Sequence, residues 1–94
     1  MRPWMILNLA KPHPIEFFLY FPSEPVARRA ADTIRSAGFE VSVDRGADGT
    51  SWLCLAVKRM TPAHGELVRI RARFEELTSP LGGEYDGWGT PVVP

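Results

Sequence analysis

A chain of 94 residues is long enough for one domain with its own core and too short for two. At 45% hydrophobic and 23% charged it excludes global disorder, and a formal charge of +0 at pH 7 excludes the basic field of a nonspecific nucleic-acid or membrane binder. The single Cys54 excludes an intramolecular disulfide framework and fits a reducing compartment, so the expected location is the cytoplasm.

Residues 1–15 read as a lead-in that ends in the stiff KPHPI, where Pro12 and Pro14 oppose helix and favour an extended path. Its apolar run WMILNLA is too short to span a bilayer. The domain proper is expected over 16–90, with 91–94 a tail. EFFLYF, Glu16 to Phe21, is aromatic, bounded by Pro22, and predicts a buried strand.

Ser23 is placed to cap a helix with Glu24 and Pro25 in its first turn. Ala27, Ala30, Ala31, Ile34 and Ala37 share one face at helical spacing, and Gly38 supplies the stop. FEVSVD then alternates, with Phe39, Val41 and Val43 on one side and Glu40, Ser42 and Asp44 on the wet one. RGADGTS carries Asp48-Gly49 and predicts a hairpin loop into WLCLAVK, a strand apolar on both faces and therefore central.

Thr61 and Pro62 are read as cap and first position of a second helix, with Leu67, Ile70, Phe74 and Leu77 as its apolar stripe. Glu66, Arg69, Arg73 and Glu76 form a solvated charge ladder on another face. Gly82-Gly83 let the chain reverse into EYDGWG, read as a closing fourth strand. The order βαββαβ predicts a ferredoxin-like α+β sandwich, with two helices on one face of a four-stranded antiparallel sheet.

Catalytic chemistry finds no support. His13, His64 and Cys54 lie on three different elements without metal-ligand spacing, and Cys54 between Leu53 and Leu55 reads as a small inert hydrophobe. The glycine-rich pieces lack the strand–loop–helix setting of a phosphate or dinucleotide loop. Glu84 and Asp86 resemble an acid–base pair but sit on an edge strand with no sign of a pocket. No enzyme, cofactor or metal is expected.

The sheet's open face carries the functional expectation. If Phe17, Leu19 and Phe21 with Leu53, Leu55 and Val57 face the helices, then Phe18, Tyr20 and Trp52 project outward. Period two adds Glu84, Asp86 and Trp88 to that side, unless Gly87 marks a bulge that turns Trp88 inward. Outward aromatics on this fold stack bases in RNA-recognition modules, but Glu40 and Asp44 beside them repel phosphate. A protein partner, or cover by the N-terminal segment, is preferred to RNA. Phe18, Tyr20, Trp52, Glu84, Asp86 and Trp88 are the expected partner-binding residues.

FFLYFPSEPVARRAADTIRSAGFEV, DGTSWLCLAVKRM and RARFEELTSPLGGEYDGWG, in this order and spacing, resemble the RraB family of regulators of ribonuclease E activity, from Phe17 to Gly89. The resemblance implies a ferredoxin-like domain that is not an enzyme and that binds a ribonuclease E-like endoribonuclease, inhibits it and so alters RNA decay. Characterised members are distinctly acidic, whereas this chain is neutral. Two alternatives stay open: a single-stranded RNA-binding module, and a small-molecule-sensing or dimerisation domain that would form a homodimer.

Overall fold

The computed structural model describes residues 12–90. The lead-in as far as residue 11 and the tail 91–94 lie outside the described residues. The elements are β1 (His13–Phe21), α1 (Glu24–Ser36), β2 (Glu40–Arg45), β3 (Trp52–Met60), α2 (His64–Thr78), a 3-10 turn (Ser79–Leu81) and β4 (Glu84–Gly89). The strands form one antiparallel sheet in the order β2-β3-β1-β4, and both helices pack on the same side of it. This is the predicted ferredoxin-like α+β arrangement.

Strand β1 starts at His13, three residues before the predicted Glu16. Pro14 is tolerated there because β4 begins to pair with β1 only at Glu16, so the missing N–H removes no hydrogen bond between those strands. Ile15, Phe17, Leu19 and Phe21 alternate into the core and are essentially inaccessible to water.

Helix α1 follows its sequence pattern closely. Ser23 is extended and accepts the Ala27 N–H through its carbonyl at 3.0 Å, although its hydroxyl makes no cap. Ala27, Ala30, Ala31 and Ile34 are buried, while Ala37 becomes the exposed C-cap. Gly38 then reverses the chain at φ 97°, in the left-handed region that favours glycine.

Helix α2 starts at His64, later than Thr61 and Pro62 suggest. A residue before proline is driven out of the helical region, so Thr61 continues the extended path of β3. Ala63, itself extended, is the N-cap and accepts the Leu67 N–H at 3.0 Å. Ile70 and Phe74 are buried and Leu67 and Leu77 pack at the core margin, as the stripe predicts. The 3-10 turn ends on Gly82 at φ 70°.

Phe17, Phe39 and Phe74 form the centre of the core with ring centroids 5.3 to 5.7 Å apart, and Tyr85 leans on Phe74 at 5.7 Å. Such pairs add about 0.5–1.5 kcal/mol each beyond their burial. α1 covers β2 and β3, and α2 covers β4 and β1. No described element covers the sheet face away from the helices.

Candidate functional site: the open face of the sheet

Antiparallel partners share a face, so the register decides what the open face contains. Phe18 pairs with Leu55, Tyr20 with Leu53, and Glu16 with Val57. Phe17, Leu19 and Phe21 pair with Ala56, Cys54 and Trp52 on the helix side. The expectation for β3 is therefore inverted. Cys54 and Ala56 are buried, Trp52 packs at the core margin, and Leu53, Leu55 and Val57 face outward.

The reason is packing depth. The face that α1 presents is alanine, and Cys54 approaches so closely that its Sγ lies 3.1 Å from the Ala27 carbonyl oxygen, to which the thiol donates. A Leu at that position would not fit, so the small residues of β3 go under the helix. Burial pushes the Cys54 thiol up to about 11, with Arg35 opposing the shift. This is an inert thiol. Trp52 lies instead beneath the Arg45 guanidinium, 5.2 Å from its ring centroid.

Strand β4 contains the bulge that Gly87 suggested. Tyr85 pairs with Leu19 and Trp88 with Phe17, three residues apart on β4 against two on β1. Asp86 is the extra, unpaired residue, and Gly87 beside it takes φ 116°. Tyr85 and Trp88 thus both face the helix side. Glu84 stands on the open face opposite Tyr20, and Asp86 shares with Tyr20, Glu84 and Asp48 a hollow at its end.

Of the six predicted partner-binding residues, Phe18, Tyr20, Glu84 and Asp86 come together on the open face, while Trp52 and Trp88 do not. Leu53, Leu55 and Val57 join them on that face, a placement the pattern of β3 does not predict. The alanine-rich face of α1 was the available signal, because a helix of small residues packs closest on small strand residues.

Trp88 and Val68 instead border a groove between α2 and β4 and are 45% and 49% exposed. The Tyr85 hydroxyl is buried beside this groove and has no hydrogen-bond partner among the described residues. Burial raises its pKa; Arg71 opposes the shift and Glu75 adds to it. Between the helices a cleft of about 90 Å³ reaches Phe39 and Phe74, too small for a drug-sized ligand, which needs about 300 Å³ or more. Among the described residues no three His, Cys, Asp or Glu side chains gather as a metal site, and no helix is long and apolar enough to cross a membrane.

The β2–β3 loop is ordered by Asp48, whose carboxylate accepts the backbone N–H groups of Thr50 and Ser51 at 3.0 and 3.1 Å. These bonds hold its pKa down at about 2. They fix the turn, with Gly49 at φ 76° supplying the left-handed residue.

Residues 7–90 match the model of the RraB family, described as regulator of ribonuclease activity B. No curated protein matches the chain. The family match covers nearly the whole sequence, and the chain belongs to this family.

Proposed function

We propose that this RraB family member is a non-catalytic cytoplasmic regulator that binds a ribonuclease E-like endoribonuclease through the open face of its sheet and lowers its activity. The family match over residues 7–90 carries the regulatory part of this reading. The docking part is supported by Phe18, Tyr20, Leu53, Leu55 and Val57, partly exposed on one continuous face with no described element over them. Covering apolar surface is worth about 2.5 kcal/mol per 100 Å², so a strip of this kind favours a partner over water. Base stacking is a weaker use of Phe18 and Tyr20, because carboxylates on β2 and β4 flank them and repel a phosphate backbone.

The test is a titration of the host's ribonuclease E with the purified chain, reading both binding and cleavage of an RNA substrate. The expected result is saturable binding with a matching loss of cleavage. No binding at about 50 µM would sink the ribonuclease reading. A parallel titration with single-stranded oligonucleotide at low salt should be flat.

A further inference from the structure

The overall neutrality of the chain hides a segregation of charge. On the helices acids and bases neutralise one another in four pairs: Glu24 with Arg28 at 2.7 Å, Asp32 with Arg35 at 3.1 Å, Glu66 with Arg69 at 3.0 Å and Glu75 with Arg71 at 3.4 Å. The sheet is different. Glu40 and Asp44 on β2, Glu16 on β1 and Glu84 on β4 stand on the open face by register, and Asp86 joins them at the bulge.

Among the described residues none of these five carboxylates has an ion-pair partner. Arg59, opposite Pro14 at one end of the strip, is the single cation on this face among the described residues.

The geometry gives the rim a shape. β2 and β4 are the two edges of the sheet, three strand spacings apart, roughly 14 Å. Between the acidic edges lies the apolar floor of Phe18, Tyr20, Leu53 and Leu55. A chain lying along that floor would have an acid row within reach of a Lys or Arg side chain on either hand. RNA carries the wrong sign for both rows. A second copy laid face to face would set acid rows against acid rows, and most helix arginines are already paired within their own helix.

Resting on the reading of this face as the docking surface, we propose that its occupant is a basic, apolar segment of the protein partner. Large apolar side chains of that segment cover the floor, and Lys or Arg side chains on both flanks meet the β2 and β4 carboxylates. The charge that sequence composition denies to this neutral chain is thus concentrated where the partner sits, giving binding that is steered and salt-sensitive.

The test uses the full chain and a fluorescein-labelled synthetic peptide of about 15 residues that mixes Leu with Arg and Lys, read by fluorescence anisotropy. Two companion peptides replace every basic residue with Glu, or every Leu with Ser. The basic apolar peptide should bind and weaken at least about tenfold between low and high salt, while both companions and oligo(U) RNA should fail. Asp44→Lys with Glu84→Lys should cost about tenfold or more in affinity, with circular dichroism and urea unfolding unchanged. Glu76→Lys on the outside of α2 should change affinity less than about twofold.

Equal binding of the acidic peptide or the RNA, an unaffected D44K/E84K variant, or no binding of the basic peptide at about 100 µM would overturn the inference. The same variant separates this idea from the ribonuclease reading. If ribonuclease E binds the wild type and the variant equally, the acidic rim is wrong and the regulatory role stands. If ribonuclease E binds neither while the peptide binds in a rim-dependent way, the rim stands and that enzyme is not the partner.

Discussion

One face of the sheet packs Phe17 against Phe39 and Phe74 beneath two helices, while the other offers Phe18 and Tyr20 to whatever arrives. Neighbouring residues on the same strand thus meet opposite surroundings. The buried face is selective about volume: Cys54 and Ala56 are small because α1 lies so close. The open face instead combines large apolar residues on the middle strands with carboxylates, most of them toward the edges. Core packing is concentrated on one side, and the proposed docking surface lies on the other, so mutations on the two sides should separate cleanly.

The sharpest way to break that comparison is to truncate adjacent rings. Phe17→Ala should lower unfolding stability by about 3–5 kcal/mol, whereas Phe18→Ala should cost only about 1 kcal/mol. Urea unfolding measures both, and equal losses would mean that the open face is structurally covered. Next in size is Gly83→Ala. A Cβ there would stand 2.6 Å from the Tyr20 carbonyl oxygen and 2.7 Å from a Phe21 ring carbon, so β4 must shift. A loss of about 1–3 kcal/mol is expected in the same assay, and no change would show that the α2–β4 corner gives way easily.

A smaller effect of opposite sign belongs to Tyr85. Its buried hydroxyl has no partner among the described residues, so Tyr85→Phe should raise stability by up to about 1 kcal/mol. A comparable loss would reveal a hydrogen bond to ordered water. The smallest effect is that of Cys54 on pH dependence. Its thiol titrates at about 11 instead of 9.0, so the unfolded chain loses the proton first. Stability should therefore fall as pH rises from 9.0 toward about 11, and Cys54→Ala should remove that part of the slope. Identical slopes in the two proteins would place Cys54 in water. Asp48 works at the other end of the scale: its contribution is present above 3.8 and is lost as pH falls through about 2.

Much of this architecture was legible in the sequence because it depends on local periodicity. The alanine stripe of α1, the alternation of FEVSVD and the glycine stops each report a single element and its immediate surroundings. The order βαββαβ then restricts the topology to few choices, and the sheet order β2-β3-β1-β4 follows one of them. α2 starts later than Thr61-Pro62 predicts, because a residue before proline is kept out of the helical region and Ala63 becomes the cap.

The faces of β3 and the aim of Trp88 were decided only in three dimensions. WLCLAVK is apolar at both parities, so no pattern within it says which side is inside. That depended on the register with β1 and on how near α1 can approach. In β4 a single extra residue at the bulge reversed the parity that a regular strand would give, carrying Trp88 round to α2. Net charge was likewise read correctly as zero and yet concealed the acidic rim, because a sum over the sequence has no direction. Sequence by itself determined which elements form and in what order, since those are near-neighbour properties. Which side chains share a surface, and hence what that surface can bind, was left to register and packing between residues far apart in the chain.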